Sequence, residues 1–325
     1  MLTPEFIADL HEKQGFSYNE IANKYQTTYE AVRSKYRRHK RQNKFIKVDP
    51  LPKTVSTVLA PPPKSKLPDD SEQWQTGLAN LPSTFRFAFI TDLHVPDHDP
   101  RAVDIAQQIV YDFKPHVIQH GSDAFDFETI SRWDVDPEKV IDDAFEIVSV
   151  PYYQVMRGFR DAAPGALTPF LVGNHDERIW KFLADKAPQL RTTVTKVFID
   201  MIRSAGGMWL GFQNIQYNLG HLKVIHGRSV TKYAAATHLD MFGVDVIAGH
   251  VHRAMMFTKT NEQRTLQSIT SGCLCNLKPS YSLWRQNWQH GIVLATIDTE
   301  NRTSHLESIV FDGYRAYWGG KLYKG

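Results

Sequence analysis

Residues 85–94 have the sequence FRFAFITDLH, an apolar run that ends in two side chains able to bind a metal ion. Phe85 to Ile90 is short and rich in aromatic residues, which predicts a β-strand. Asp92 and His94 follow where that strand ends. Strand exits that carry polar side chains are typical of α/β folds, in which they line a crevice at the edge of the sheet.

The same pattern recurs four more times along the chain. The apolar runs HVIQH, TPFLV, LKVI and DVIA are followed by GSD at 121–123, GNHD at 173–176, HG at 226–227 and GHVH at 249–252. Because strand exits converge on one crevice, residues far apart in sequence are expected to meet there. The side chains of this series are Asp92, His94, Asp123, Asn174, His175, His226, His250 and His252.

The arrangement of the remaining segments predicts an α/β fold class. Helical patterns at 99–113 and 137–160 alternate with the strand runs, and consecutive strand patterns follow from 245 to 297. Alternation followed by a series of strands predicts a two-sheet β-sandwich flanked by helices.

The chain is expected to divide into three parts: a basic all-α unit at 1–46, a Pro-rich linker at 47–83 and an α/β domain at 84–325. Residues 1–47 contain 10 Lys and Arg against 5 Asp and Glu, although the whole chain has a net charge of only +3. A basic unit joined to a nearly neutral body indicates contact with a polyanion. The linker would let that unit move around the body.

The basic unit is predicted to contain three short helices. Thr3-Pro4, the capping box from Ser17 to Glu20 and the capping box from Thr27 to Glu30 mark their starts. The short gap between the second and third helices resembles the helix-turn-helix of DNA-binding proteins. A nucleic-acid contact, with DNA favoured, is predicted for the basic residues of the third helix, while a solvated helix or a protein-docking bundle remains open. These residues are Arg33, Lys35, Arg37, Arg38, Lys40 and Arg41.

Two further features bound the class of protein. The two cysteines, Cys273 and Cys275, are one residue apart and are expected to be core residues in a reducing compartment. No stretch reaches the roughly 18 apolar residues that a membrane span needs, so we expect no membrane partner and a cytoplasmic location.

In this order, the motifs D-x-H, G-S-D, G-N-H-D, H and G-H-x-H resemble those of the calcineurin-like metallophosphoesterase superfamily, over about residues 85–300. The resemblance implies a four-layer fold for 84–325 and two divalent metal ions. It assigns the first ion to Asp92, His94 and His252, the second to Asn174, His226 and His250, and the bridge to Asp123. These ligands suit Mn, Fe or Zn, and Mn is our first choice.

The second motif departs from the family pattern, in which Gly stands directly before Asp. Here Ser122 is inserted between Gly121 and Asp123. Asp123 is expected to bridge the metals because it lies nearer the exit of the strand, and Asp126 is the alternative.

The resemblance also implies that His175 faces the substrate as a proton donor, with Asp176 orienting it. Candidate phosphate contacts are Arg178, Arg228 and Lys232, although surface ion pairs would explain these cations equally well. An aromatic group of Tyr281, Trp284 and Trp288 is expected to pack against the second sheet, with stacking on nucleobases as the alternative.

The predicted activity is therefore two-metal-dependent hydrolysis of a phosphate ester through a metal-bridging hydroxide. The tethered basic unit makes a phosphodiesterase or nuclease the first hypothesis. A protein or small-molecule phosphomonoesterase and a DNA-binding regulator with a scaffold phosphoesterase domain are the alternatives. The arrangement also resembles phage-encoded metallophosphoesterases, which would place the protein in the host cytoplasm. The exo- or endonuclease mode and the oligomeric state stay open.

Overall fold

A computed structural model of the chain describes residues 3–12, 17–28, 30–35, 67, 69–130, 144–211, 216–278 and 286–325. The chain divides into two units, Met1–Ser65 and Lys66–Gly325. Each unit is described by itself.

The described residues of the first unit form three helices, α1 (Pro4–Glu12), α2 (Tyr18–Lys24) and α3 (30–35). The capping box at α2 forms as predicted: the Ser17 hydroxyl accepts from Glu20 N at 3.3 Å, and the Glu20 carboxylate accepts from Ser17 N at 2.7 Å. Thr28 rather than Thr27 caps α3, because its hydroxyl accepts from Ala31 N at 3.2 Å. The buried core of this unit consists of Ile7, Leu10, Ile21, Ala22 and Val32.

Two of the six basic residues predicted to contact nucleic acid belong to the described part of α3. Arg33 and Lys35 are exposed there. The other four, Arg37, Arg38, Lys40 and Arg41, lie outside the described residues. The helix-turn-helix arrangement itself stays a prediction.

The second unit contains the helices α4 (Ser71–Ala79), α5 (Pro100–Phe113), α6 (Ala144–Ala162), α7 (Arg178–Lys186), α8 (Arg191–Ser204) and α9 (Ala234–Phe242). Its strands are β1 (Thr84–Phe89), β2 (Val117–Gly121), β3 (Pro169–Leu171), β4 (Met208–Trp209), β5 (Gln216–Leu219), β6 (Leu222–Ile225), β7 (Asp245–Ala248), β8 (Met255–Thr260), β9 (Thr265–Thr270), β10 (His290–Asp298), β11 (Thr303–Phe311), β12 (Arg315–Trp318) and β13 (Lys321–Lys324).

Helix α4 corrects the predicted linker, which was expected to extend to residue 83. Trp74 on this helix is buried and makes an edge contact with Tyr217, at 5.7 Å between ring centroids. Just before the helix, the Asp70 carboxylate accepts from Arg203 Nη2 and from Trp209 N, each at 2.8 Å. Residues 69–83 therefore pack into the second unit. Their helix depends on tertiary contacts and not on the apolar periodicity that a sequence reveals.

Two sheets form the centre of the second unit. The first has the strand order β11-β10-β1-β2-β3-β4, with β1 to β4 parallel, and the second has the order β5-β6-β7-β9-β8, with β6, β7 and β9 parallel. Strands β12 and β13 form a separate hairpin. The predicted mixed α/β fold with two sheets and helices is confirmed.

The alternation of side chains in β1 shows how the layers are built. Phe85, Phe87 and Phe89 enter the core shared with β6, β7 and β9, whereas Ala88 and Ile90 enter the core shared with α5, α6 and α8. Successive strand residues point to opposite faces, so β1 is apolar on both faces where both are covered, from Phe87 to Phe89. On the far side of the second sheet, α9 packs over β7, β8 and β9.

No helix in the described parts of the chain is long and apolar enough to cross a membrane.

His120 on β2 is part of the first core and not of the strand-exit crevice. It is fully buried, its Nε2–H donates to Thr168 O at 3.0 Å, and its Nδ1 accepts from the Tyr152 hydroxyl at 2.7 Å. Burial lowers the pKa of His120 from 6.5 to about 4. The folded protein therefore holds this imidazole neutral.

We expect His120 to make the fold sensitive to acid. The folded pKa lies below the unfolded one, so its contribution to the free energy of unfolding is present above pH 6.5 and is lost as the pH falls to about 4. The loss should amount to about 3 kcal/mol. His120→Gln keeps an N–H for Thr168 but does not titrate, so urea denaturation should give a shallower pH dependence than wild type. Parallel curves for the two proteins would contradict this account.

Candidate metal centre

All seven residues predicted as metal ligands lie at the carboxyl ends of five strands, where the two sheets face each other. The exits of β1, β2 and β3 carry four of them, and those of β6 and β7 carry three. Their side chains come within contact distance of one another. The convergence expected from the sequence is present, and neither sheet could form the centre alone.

Five of these seven residues have a left-handed backbone, with φ between 49° and 72°. This conformation costs about 1–2 kcal/mol for a residue with a side chain, less for Asp, and persists where surrounding contacts enforce it. Two backbone bonds do so here: Asp92 N donates to Ser122 O at 2.9 Å, and His94 N donates to Asp123 O at 3.0 Å. The five residues are Asp92, His94, Asp123, His250 and His252.

Glycine is required beside the ligands because of close packing. A Cβ on Gly249 would lie 2.7 Å from Asp92 Oδ2, and a Cβ on Gly173 would overlap Asp123 Oδ1. The two glycines therefore let the loops after β3 and β7 approach the carboxylates.

One group of four atoms, here called the first ligand set, consists of Asp92 Oδ1, His94 Nε2, His252 Nε2 and Asp123 Oδ2. His252 Nε2 lies 3.1 Å from Asp92 Oδ1 and 3.3 Å from His94 Nε2. His94 Nε2 lies 3.9 Å from Asp92 Oδ1 and 4.0 Å from Asp123 Oδ2.

The second ligand set consists of Asp123 Oδ2, Asn174 Oδ1, His226 Nε2 and His250 Nδ1. His226 Nε2 lies 2.8 Å from Asn174 Oδ1, 3.1 Å from His250 Nδ1 and 3.3 Å from Asp123 Oδ2. Asp123 Oδ2 therefore belongs to both sets.

These separations fit metal ions. Ligand atoms about 2.1 Å from a tetrahedral ion lie about 3.4 Å from one another, close to the distances within each set. Ligand atoms of His94, Asp123 and His175 lie within 4.8 Å of one another, as do those of Asp123, His226 and His250. The histidine and aspartate side chains could hold metal ions, and the donor chemistry suits divalent cations.

The electrostatics of the centre also suit the binding of cations. Burial opposes ionisation of Asp123, but the neighbouring imidazoles of His226, His175 and His94 together hold the pKa of Asp123 well below its usual range. Burial also disfavours the charged form of His252, yet the Asp92 carboxylate raises the pKa of His252 well above its usual range. The carboxylates and imidazoles here stabilise each other's charged forms, and a bound metal cation could stabilise the same carboxylates.

The inserted Ser122 does not displace Asp123 from the centre. Gly121, Ser122 and Asp123 have successive positive φ values of 87°, 58° and 65°, which turn the chain sharply after β2. Asp126, the alternative bridge, lies behind His94, with Oδ1 3.1 Å from His94 Nδ1. Among these two carboxylates, Asp123 is the one whose oxygen lies between the His94 and His226 Nε2 atoms.

Ser122 also has a role that the sequence did not reveal. Its Oγ lies 2.7 Å from His226 Nδ1 and 2.9 Å from Thr91 Oγ1, and Thr91 Oγ1 lies 2.8 Å from Asp92 Oδ2. Ser122 Oγ therefore connects the His226 ring to Thr91 and the Asp92 carboxylate, and it can accept from His226 Nδ1–H. That hydrogen bond leaves the Nε2 lone pair of His226 facing the second ligand set. The signal in the sequence was a hydroxyl residue directly before each predicted aspartate ligand, Thr91 before Asp92 and Ser122 before Asp123.

His175 is partnered by Asp126 and not, as predicted, by Asp176. His175 Nδ1 lies 2.6 Å from Asp126 Oδ1. The Asp176 carboxylate points the other way and accepts three backbone N–H groups, from Gly173 at 2.8 Å, Asp123 at 3.0 Å and Phe125 at 3.1 Å. Burial and the charge of Asp123 raise the pKa of Asp176 to about 7. Asp176 therefore ties the loops after β2 and β3 together, while Asp126 orients His175.

The structure brings one of the three predicted phosphate contacts into the centre. Arg178 donates from Nη1 to Asp126 O at 2.6 Å and from Nη2 to His175 Nε2 at 3.0 Å. Arg228 and Lys232 are exposed, and no hydrogen bond or ion pair joins their side chains to the described residues of the centre.

Two residues lie beside His252: Cys275, predicted to be a core residue, and Trp288, predicted to pack against the second sheet or to stack on nucleobases. Cys275 is buried, and its Sγ lies 3.8 Å from His252 Nδ1, on the ring edge opposite Asp92. The Trp288 indole meets the His252 ring edge to face, with 4.3 Å between the ring centroids. Of the predicted aromatic group, Tyr281 and Trp284 lie outside the described residues.

Comparison with known proteins finds relatives in bacteriophages. The chain is 25% identical over 247 residues to the Gene 54 proteins of Mycobacterium phages D29 and L5, covering 69% of this chain and 94% of each phage protein. No protein-family model matches the chain. Vps29 of Chaetomium thermophilum, a solved structure, aligns with 74% of this chain and 95% of its own at 11% identity, but a TM-score of 0.33 does not establish a shared fold.

We predict that the Ser122 hydroxyl supports binding at the second ligand set. Ser122→Ala should weaken metal binding at this set by about 10–100-fold, the usual effect of losing a hydrogen bond behind a ligating histidine. Chelator competition with Mn²⁺ or Zn²⁺ would measure it. Ser268→Ala is the matched control, since its buried Oγ has no hydrogen-bond partner among the described residues. Equal affinities in both variants and the wild type would exclude the role.

Proposed function

We propose that this protein is a metal-dependent phosphoesterase, a phosphodiesterase or nuclease that hydrolyses nucleic-acid phosphodiester bonds. The observation that carries the proposal is the pair of four-atom ligand sets that share Asp123 Oδ2. Adjacent sites joined by one carboxylate are typical of enzymes that hold two divalent ions against a phosphate.

In this proposal, Asp92, His94 and His252 hold one ion, Asn174, His226 and His250 hold the other, and Asp123 bridges them. Mn²⁺ is our first choice, with Fe or Zn as alternatives, because imidazole and carboxylate donors are mixed in both sets. When bound, such ions polarise the phosphoryl oxygens and supply a nucleophile from water at neutral pH.

His175 is the proposed proton donor to the leaving oxygen. Its side chain is 18% exposed, whereas that of Asp126 behind it is 7% exposed. With Nδ1–H donating to Asp126, Nε2 accepts from Arg178 in the described state. A second proton on Nε2 would break that contact, leave the imidazolium aimed outward and free Arg178 Nη2 for a phosphate oxygen. Burial lowers the pKa of His175, which favours release of that proton.

The choice of nucleic acid as substrate depends on the first unit. Arg33 and Lys35 are exposed on α3, and the sequence continues with Arg37, Arg38, Lys40 and Arg41. A tethered basic segment would hold a polyanion near the centre and raise its local concentration. DNA is the favoured partner. The phage relatives make the cytoplasm of a bacterial host the proposed location.

The first test is metal-dependent hydrolysis with two variants. Purified protein with Mn²⁺ should cleave bis-para-nitrophenyl phosphate and linear DNA, and should prefer the diester to para-nitrophenyl phosphate. Asp123→Asn should lower metal content and rate together, because it removes the shared ligand. His175→Asn should lower the rate by about 100-fold or more with metal content retained, because it removes only the proton donor.

Four outcomes would count against the proposal. Absence of metal-dependent turnover would reject a phosphoesterase, and preference for the monoester would favour a phosphomonoesterase. Equal metal loss in both variants would contradict the separate roles of Asp123 and His175. Unchanged biological activity in His175→Asn would favour a DNA-binding regulator.

The role of the first unit can be measured separately. Arg33→Glu combined with Lys35→Glu should weaken binding to labelled DNA and reduce the slope of log affinity against log salt by about 2, since roughly one counterion is released per phosphate contact. Hydrolysis of bis-para-nitrophenyl phosphate should not change. Lys186→Glu combined with Lys196→Glu makes the same charge change on α7 and α8. An equal loss of DNA affinity in both double variants would refute a specific role for α3.

A further inference from the structure

A small cavity, open to solvent, lies beside the first ligand set. It is lined by His94, His252 and Asp126 of the metal centre and by Asp97, Asn276 and Trp288. Because the cavity is open, a planar ring can lie against its wall while an attached phosphate reaches the centre.

Trp288 is held in a fixed position relative to the ligand His252. The two rings meet edge to face at 63°, and Trp288 is half-buried. The following residue, Gln289, donates from its N–H to His252 O at 2.9 Å, and its side-chain oxygen accepts from Ala254 N at 3.2 Å. The indole is therefore fixed to the loop that carries the ligands, so it needs little ordering when a ligand arrives.

The polar groups of the cavity select against a second phosphate. Asp97 and Asp126 place carboxylates in its wall, which would repel a further anion. Asn276 Oδ1 accepts from Lys278 N at 2.9 Å, and no hydrogen bond among the described residues engages its side-chain amide N–H groups. An aromatic face, an amide donor and carboxylate acceptors together suit an uncharged planar ring with mixed hydrogen-bonding edges.

We propose that this cavity is a nucleobase subsite in which Trp288 stacks on an unpaired base next to the scissile phosphate. The inference rests on the proposed function and adds a specificity to it. A base within a duplex is already paired and stacked, so it reaches Trp288 only from a single strand or a frayed end. The enzyme therefore prefers single-stranded substrates.

The test compares substrates with and without the base, and proteins with and without the Trp288 indole. Single-stranded oligonucleotides with one cleavable phosphodiester are compared with the same oligonucleotides carrying an abasic site beside that bond. Wild type should lose about 10- to 100-fold in kcat/KM when the base is removed, the usual effect of losing one base–aromatic stack. Trp288→Ala should show a similar loss on the intact substrate and no further loss on the abasic one. Trp288→Phe should retain most of the activity.

The matched control is Trp318→Ala. Trp318 is also half-buried, but it contacts Phe113 and Tyr323 away from the centre. The Trp318→Ala variant should lose as much kcat/KM as wild type when the base is removed. A methyl phosphodiester without a ring should show the same ratio of rates between wild type and Trp288→Ala as the abasic oligonucleotide does, since neither substrate has a base to stack. If Trp288→Ala still responds to base removal as strongly as wild type, the subsite is refuted.

Binding tests the inference without catalysis. Adenosine monophosphate added with Mn²⁺ should quench tryptophan fluorescence in wild type and Trp318→Phe but not in Trp288→Phe, and ribose 5-phosphate should quench none of them. Quenching that survives in Trp288→Phe would refute the subsite.

If no diester is cleaved by wild type, the proposed function fails while the quenching result still decides the subsite. If diesters are cleaved with no effect of base removal, the subsite alone fails.

Discussion

The Asp123 carboxylate is the group on which the centre depends. Its Oδ2 lies 3.3 Å from His226 Nε2 and 4.0 Å from His94 Nε2, and its Oδ1 accepts from His175 N at 2.7 Å. Its own N–H donates to Asp176. Both ligand sets and the proposed proton donor therefore meet at one buried side chain, and this chain's unusual Gly121-Ser122 turn serves to place it there.

Sequence patterns predicted the parts of this protein that local chemistry determines. Polar residues after apolar runs located the strand exits, because parallel strands end at a common edge. The prediction that Asp176 is the partner of His175 was wrong, because it was based on adjacency in the sequence. In a tight turn, consecutive side chains point in different directions, and the Asp176 carboxylate meets backbone N–H groups instead. Only the fold brings Asp126, 49 positions earlier, to the imidazole.

Helix α4 and the Ser122 hydroxyl illustrate a second limit. The sequence SEQWQTGLA has little apolar periodicity, and its helix exists because Trp74 is buried against residues more than 100 positions later. Ser122 resembled an insertion that disturbs a motif, yet its hydroxyl contacts the ring of His226. Tertiary contacts of this kind produce no pattern in the neighbouring sequence, since they depend on which segments the fold brings together.

Each ligand set takes residues from both halves of the sandwich. The first draws on the exits of β1, β2 and β7, and the second on those of β2, β3, β6 and β7. An ion bound at either set would therefore act as a thermodynamic cross-link, because sliding or separating the sheets breaks its coordination. Any free energy gained from binding the folded form adds to the cohesion of the sandwich. Cellular metal supply would then set the lifetime of the folded protein as well as its capacity for chemistry.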